Sequence, residues 1–151
     1  EAISRADIIL LGPGSLYTSV IPNLLVDGIS DAIEESKALK IYVCNIMTQD
    51  GETEGMTASE HLAALLEHGG PQLVDLCLCN NATLPREMLY RYQLEDAVPL
   101  VVDRREMEIL GAEVVCRPLT DEKVDFARHS GDKVAQAVLE LYQQRGHTKT
   151  F

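Results

Sequence analysis

Short apolar runs alternate along the chain with stretches in which apolar residues recur every three or four positions. The runs predict strands over residues 7–11, 40–44, 73–79, 99–102 and 113–116. Most of these runs are apolar at nearly every position, which is typical of strands that are buried on both faces of a parallel sheet.

Helical spacing fills the intervals between these runs. Thr57 and Glu60 have the spacing of a capping box, and the stripe Val134, Ala137, Val138 and Leu141 follows a capping residue at Ser130. The predicted helices cover residues 15–26 (disturbed by Pro22), 30–38, 57–69, 84–94 and a last segment from 130. Strands that alternate with helices predict an α/β fold with a parallel sheet and helices on both sides.

Composition narrows the class of protein further. The chain has 151 residues, 46% hydrophobic and 25% charged, which fits one globular domain and excludes a disordered tail, a collagen-like rod or a coiled coil. Its formal net charge of −11 argues against binding to nucleic acid or to an anionic membrane. We find no apolar run long enough to span a bilayer and no signal segment, so we expect a cytoplasmic protein without membrane insertion.

Cysteine and histidine residues give little sign of metal or redox chemistry. Cys44, Cys77, Cys79 and Cys116 lie in strand-like runs without a Cys-x-x-Cys spacing, and we expect buried free thiols. His61 and His68 lack carboxylate partners at metal spacing, and we expect them at the surface.

Polar loops follow the first three predicted strands. Residues 12–19 combine two glycines with four hydroxyl side chains, residues 45–53 are rich in neutral polar groups, and Asn80 follows the third strand. Ligands bind beyond the carboxyl ends of parallel strands, so these loops together predict a ligand site. Taken singly, the glycine loop and Asn80 also fit ordinary turn chemistry.

Two residues nearer the C-terminus are further candidates for binding the ligand. Arg128 precedes the last predicted helix, where a guanidinium and free backbone N–H groups both suit phosphate, although a surface ion pair fits equally well. Tyr92 has a ring that stacks on a base or sugar, or that packs half-buried on a helix.

Two long motifs carry a family resemblance. Residues 12–19 (GPGSLYTS) followed by 21–25 (IPNLL), and residues 44–49 (CNIMTQ) followed by 51–53 (GET), resemble the gluconeogenesis factor (YvcK) family. That family belongs to one superfamily with the CofD enzyme, 2-phospho-L-lactate transferase. The resemblance runs over essentially the whole chain and implies a Rossmann-like, three-layer α/β fold.

The resemblance also implies a ligand and a role. Resemblance to gluconeogenesis factors implies that the ligand is a UDP-sugar such as UDP-N-acetylglucosamine. It also implies a role in carbon metabolism, envelope synthesis and cell shape. The transferase branch implies transfer of a phospholactyl group from a GDP-linked donor to a deazaflavin, with magnesium. From the loops and the resemblance together, the predicted ligand-binding residues are Gly12, Gly14, Ser15, Tyr17, Thr18, Asn45, Thr48, Gln49, Glu52, Thr53, Asn80, Tyr92 and Arg128.

Some family features are absent from this sequence. Members carry a glycine-rich Gly-Gly-Gly-Thr-Gly loop and an Asp-Asp-Gly-Gly segment, and this chain has neither. We therefore expect residues 1–151 to be a single α/β domain that corresponds to the C-terminal half of a longer protein, with any magnesium site dependent on the other half. Three hypotheses follow: a UDP-sugar-binding regulator, a phospholactate transferase, or a folding or oligomerisation module that forms a homo-oligomer.

Overall fold

The order of elements alternates strand and helix along the chain. In the computed structural model, which describes residues 1–121 and 126–146, the order is α1 (Ala2–Arg5), β1 (Ile8–Leu11), a π-helical turn (Leu16–Val20), α2 (Ile21–Leu24), α3 (Ile29–Glu34), β2 (Leu39–Val43), α4 (Ala58–Gly69), β3 (Leu76–Asn80), α5 (Arg86–Gln93), α6 (Arg104–Ile109), β4 (Glu113–Arg117) and α7 (Gly131–Gln144). Every helix among these residues is too short or too polar to cross a membrane.

The described strands form one sheet. All neighbours pair in parallel, in the order β1-β2-β3-β4, with Ile41 opposite Leu76 and Leu78 opposite Val115. This arrangement confirms the predicted parallel α/β fold. Because the strands are parallel, their carboxyl ends all lie at the same edge of the sheet.

Alternate residues of each central strand pack into different layers. Tyr42 and Cys77 belong to an apolar cluster with α2, α3, α4 and α6, whereas Ile41 and Leu78 belong to a second cluster with α7. Both sets of side chains are fully buried. The three-layer arrangement follows, since a strand with apolar residues at every position needs helices on both faces.

The capping residues in the sequence correctly predicted where α4 and α7 begin. The capping box of α4 is present, with the Glu60 N–H donating to the Thr57 hydroxyl and a Glu60 carboxylate oxygen accepting from the Thr57 N–H at 2.7 Å. Ser130 occupies the capping position of α7, but its side chain makes no capping hydrogen bond. Its backbone N–H instead donates to the Leu119 carbonyl at 2.7 Å, which ties the start of α7 to the segment after β4.

The strand predicted over residues 99–102 is wrong. Pro99 makes only an isolated antiparallel bridge with Met47, and β4 occupies the position next to β3 in the sheet. The backbone bonds of this segment go instead to the loop after β2 and to the start of α4, where the Ala58 N–H donates to the Val101 carbonyl at 2.9 Å. A short helix, α6, follows and was not predicted.

Three smaller predictions also need correction. The helix expected over residues 15–26 divides into the π-helical turn and α2, with Pro22 in the first turn of α2. Strand β3 begins at Leu76, because Leu73, although buried, precedes the sheet pairing. The cysteines are free thiols as expected, but Cys116 is only partly buried.

The second apolar layer yields a test of the architecture. Among the described residues α7 is the helix that covers this face, and Leu141 is buried there while Leu139 on the same helix is 44% exposed. We expect Leu141→Ala to lower the free energy of unfolding by about 2–5 kcal/mol, and Leu139→Ala by less than about 1 kcal/mol. Urea denaturation measures both variants, and equal losses would contradict the assigned layer.

Candidate functional site

A cavity of about 580 Å³ opens at the carboxyl edge of the sheet. It lies where β1 and β2 end, and the segment that precedes α7 closes one side of it. The residues that line it are Pro13, Gly14, Ser15, Asn45, Ile46, Met47, Thr48, Gln49, Tyr92, Ala127, Arg128 and His129. We call this the first cavity.

A glycine at the end of β1 brings the first loop close to β2. Gly12 has φ +80°, and a Cβ atom there would lie 3.1 Å from the Val43 carbonyl oxygen. Only glycine fits both conditions without strain. The close turn is followed by Gly14 and Ser15, which line the first cavity. The π-helical turn starts after Ser15, whose carbonyl accepts a hydrogen bond from the Val20 N–H at 3.0 Å.

The loop after β2 is held by the 97–102 segment. The Thr48 N–H donates to the Val98 carbonyl at 2.8 Å, the Thr48 hydroxyl accepts from the Val98 N–H at 2.9 Å, and the Leu100 N–H donates to the Ile46 carbonyl at 2.9 Å. Within the loop, the Thr53 hydroxyl accepts from the Gln49 N–H at 2.9 Å. The two threonines are buried, so their hydroxyl groups stabilise the loop.

The side chain of His129 connects the segment before α7 to the end of β2 through a hydrogen bond. Its Nε2 lies 3.0 Å from the Cys44 carbonyl oxygen and donates to it. Burial lowers the pKa of His129, although the bond to the Cys44 carbonyl opposes that shift. The bond ties the segment that contains the neighbouring Arg128 to the end of β2.

A stack of cations on an aromatic ring lies beside the first cavity. The guanidinium carbon of Arg128 is 5.5 Å from the centre of the Phe126 ring, and that of Arg91 is 6.0 Å from the same centre. Tyr92 joins this region to α5, because its hydroxyl accepts from the Ala127 N–H at 3.0 Å. Two positive side chains thus gather here in a chain whose formal net charge is −11.

A second cavity of about 530 Å³ continues along the same two loops. It is lined by Tyr17, Thr18, Gln49, Asp50, Gly51 and Glu52, and so shares Gln49 with the first cavity. Gln49 Oε1 and Glu52 Oε1 are both buried and have no hydrogen-bond partner among the described residues. A hydrogen bond and the like charge of Glu54 raise the pKa of Asp50 at the exposed rim.

The surface position expected for His61 is wrong. The side chain is 0% exposed, and its Nδ1 donates to the Thr57 carbonyl at 2.9 Å, one helical turn earlier. The charge of Glu52, on the loop after β2, acts on the His61 ring. Burial lowers the pKa of His61. His68 is exposed as expected and makes the same type of bond to the Ala64 carbonyl at 2.7 Å.

The predicted ligand-binding residues divide into three groups. The first cavity is lined by Gly14, Ser15, Asn45, Thr48, Gln49, Tyr92 and Arg128, and the second by Tyr17, Thr18, Gln49 and Glu52. Gly12, Thr53 and Asn80 line neither of these two cavities. Gly12 and Thr53 shape the loops, and the Asn80 side-chain oxygen accepts from the Leu119 N–H at 2.9 Å, which joins β3 to the segment after β4.

Several lining residues were missed by sequence reasoning. Ile46 and Met47 are apolar and gave no signal of a site, whereas His129 stood beside a predicted arginine. Ile46 and Met47 reach the cavity because the 97–102 segment pairs with their loop, and this pairing is a long-range contact. The site therefore combines a guanidinium, hydroxyl and amide groups with an apolar wall.

The described residues contain no group of three or more His, Cys, Asp or Glu side chains that could hold a metal ion. Magnesium, which the transferase branch implies, is usually held by one or two carboxylates together with phosphates of the substrate. Among the residues that line the first cavity there is no carboxylate. The arrangement is suited to binding an anion.

Comparison with known proteins identifies relatives over most of the chain. The sequence pattern of the family described as 2-phospho-L-lactate transferase CofD matches residues 1–120. A gluconeogenesis factor from Halalkalibacterium halodurans is 46% identical over 140 residues, which is 93% of this chain and 44% of the relative. The gluconeogenesis factor of Bacillus subtilis is 40% identical over 144 residues, or 95% of this chain and 45% of the relative.

A solved structure shows the same fold. The X-ray structure of a Bacillus halodurans protein superposes with a TM-score of 0.88 at 46% identity, and the match covers 91% of this chain and 44% of that protein. The chain thus spans less than half of the length of the relatives that it matches.

The buried His61 predicts a pH-dependent stability. Because burial lowers its folded pKa, the unfolded chain binds the proton first as the pH falls, and the free energy of unfolding decreases from about pH 7 towards pH 5. In His61→Asn the amide keeps a donor for the Thr57 carbonyl but does not titrate, so we expect a smaller decrease. Urea denaturation at several pH values measures it.

His68→Asn is the matched control, because His68 makes the same bond one helical turn back but is exposed. Its pH profile should follow that of the wild type. A His61→Asn profile parallel to the wild type would show that His61 does not contribute to the acid sensitivity.

Proposed function

This chain belongs to the 2-phospho-L-lactate transferase CofD family, and from that premise we propose that it binds a nucleotide sugar of the UDP-N-acetylglucosamine type, as a gluconeogenesis factor. In this role it regulates carbon metabolism, envelope synthesis and cell shape through ligand binding. The name of the relatives supports the part in carbon metabolism, and the chemistry of the first cavity supports the ligand.

The observation that carries the proposal is the charge of the first cavity. Arg128 lines it together with Ser15, and no carboxylate is among its lining residues. In a chain with a formal net charge of −11, such a cavity is a local exception. A phosphate or diphosphate satisfies the guanidinium with charge-assisted hydrogen bonds, which are stronger than neutral ones.

The remaining walls suit the other parts of a nucleotide. Ile46, Met47 and the ring of Tyr92 give apolar and aromatic surface on which a base or ribose stacks, and Asn45 and Gln49 offer amide groups to its polar edges. His129 lies in the same wall and holds Arg128 near the end of β2. The residues bind and orient an anionic ligand, and none of these roles requires a chemical step.

A phospholactate transferase is the second candidate, and the description of the matching family favours it. That activity needs a deazaflavin acceptor, a GDP-linked donor and magnesium, and the first cavity has no carboxylate among its lining residues to bind the metal. We therefore rank ligand binding first.

A thermal-shift panel tests the proposal. UDP-N-acetylglucosamine, UDP-glucose, GDP and a deazaflavin are added to the chain, and a ligand at about a hundred times its Kd stabilises the fold by roughly 2.7 kcal/mol, which is several degrees in Tm. We expect a shift with the UDP-sugars alone. A shift with GDP or deazaflavin would favour the transferase, and no shift with any ligand, in this chain and in a full-length relative, would contradict nucleotide binding.

Removing the Arg128 side chain tests its role in the cavity. Arg128→Ala should weaken binding of UDP-N-acetylglucosamine about tenfold or more, because a charged hydrogen bond to phosphate is lost. The unliganded stability should stay within about 0.5 kcal/mol, since Arg128 is exposed. Isothermal titration measures the affinity.

Arg105→Ala is the control, because Arg105 is exposed on α6 and lines neither cavity, yet its loss changes the net charge equally. Equal affinities for wild type, Arg105→Ala and Arg128→Ala would show that Arg128 does not bind the ligand.

A further inference from the structure

We propose that His129 couples ligand binding in the first cavity to the uptake of a proton, so that the cavity binds a diphosphate more tightly as the pH falls. This inference rests on the proposed function, because it requires an anionic ligand beside Arg128. It concerns the regulation of that site, and it gives His129 a role in addition to its hydrogen bond with the end of β2.

One nitrogen of the His129 ring is bonded to the protein and the other is available. Nε2 lies 3.0 Å from the Cys44 carbonyl oxygen, and because a carbonyl oxygen only accepts, Nε2 carries a hydrogen. In the neutral ring, Nδ1 therefore has a lone pair and no hydrogen. Nδ1 has no hydrogen-bond partner among the described residues, yet it is not fully buried, unlike Nε2 of His61. Since His129 lines the first cavity, Nδ1 is the ring atom that a ligand there can meet.

The charge of the first cavity changes with pH through His129. The ionisable residues in its lining are Tyr92 on α5, Arg128 and His129, and the loops after β1 and β2 contribute none. Histidine is the side chain whose charge ordinarily changes between about pH 5 and 8. The other titratable group next to the ring is the Cys44 thiol, whose pKa is raised by hydrogen bonds with neighbouring thiols and by burial, so that it stays uncharged.

An anionic ligand reverses the preference of this ring for its neutral form. Without a ligand, burial lowers the pKa of His129, and the bond to the Cys44 carbonyl only partly opposes that shift. A phosphate beside Arg128 raises the pKa of His129, because a nearby negative charge favours the charged ring and a protonated Nδ1 donates a charge-assisted hydrogen bond. Binding therefore draws a proton onto Nδ1. The affinity rises as the pH falls through the pKa of the bound state, and it levels off below the pKa of the unliganded protein.

Isothermal titration of the chain with UDP-N-acetylglucosamine measures the affinity and the proton uptake together. Each phosphate of this ligand has one ionised oxygen, whereas a terminal phosphate has a second pKa of about 6 and would titrate by itself. We expect binding to be about tenfold tighter at about pH 6 than at about pH 8, which is the effect of one charge-assisted hydrogen bond. Between these values, the heat of binding should depend on the ionisation enthalpy of the buffer, with up to about one proton taken up per ligand.

Two histidine variants locate the proton. In His129→Gln the amide keeps a donor for the Cys44 carbonyl but does not titrate, so the affinity should not depend on pH and no proton should be taken up. His61→Asn is the matched control, because burial also lowers the pKa of His61 but this residue does not line the first cavity. It should keep the proton uptake of the wild type. NMR of the histidine rings in the wild type tests the same point without a variant, since the ligand should raise the pKa of His129 alone.

The outcomes distinguish this inference from the proposed function. If the wild type does not bind UDP-N-acetylglucosamine at either pH, the proposed function fails and this inference falls with it. If the ligand binds with the same affinity at both pH values and without proton uptake, the inference is overturned while the nucleotide site stands. Proton uptake that persists in His129→Gln would also overturn it, because another group, such as Asp50 with its raised pKa, would then take up the proton. A pKa of His129 that the ligand leaves unchanged would have the same consequence.

Discussion

Parallel pairing of strands that are buried on both faces is the constraint on which the rest of this molecule depends. A strand such as β2 sends Ile41 into one apolar layer and Tyr42 into the other, so helices must cover both sides. The same pairing aligns all of the carboxyl ends at one edge, which brings the loops after β1 and β2 together. The position of the candidate site is thus a consequence of how the core is packed.

Polar residues in these loops serve two different purposes. Thr48 and Thr53 are buried and use their hydroxyl groups to hold the loop after β2 in shape. Gln49 and Glu52 lie between them in sequence, yet each has a buried oxygen without a partner among the described residues. The hydrogen bonds of the first pair stabilise the loop, whereas Glu52 acts through its charge on the buried His61 ring.

Charge is distributed unevenly across the site. The chain is strongly acidic, but the first cavity has Arg128 and no carboxylate among its lining residues, and the Arg91 and Arg128 side chains stack on one aromatic ring beside it. The adjoining second cavity has two carboxylates. The difference in charge favours an anionic group in the first cavity over the second.

Local sequence determined the four strands of the described sheet, most helices and the capping box of α4, because the periodicity of apolar residues and the spacing of Thr57 and Glu60 are short-range signals. It also indicated the loops after β1 and β2 as the candidate site. Tertiary structure decided what depends on distant contacts: the 97–102 segment joins the loop after β2 instead of the sheet, and this pairing brings Ile46 and Met47 to the first cavity. Tertiary packing also decided the position of His61, which was expected at the surface but is buried. A local sequence pattern cannot predict such contacts, because the residues that make them are far apart in the chain.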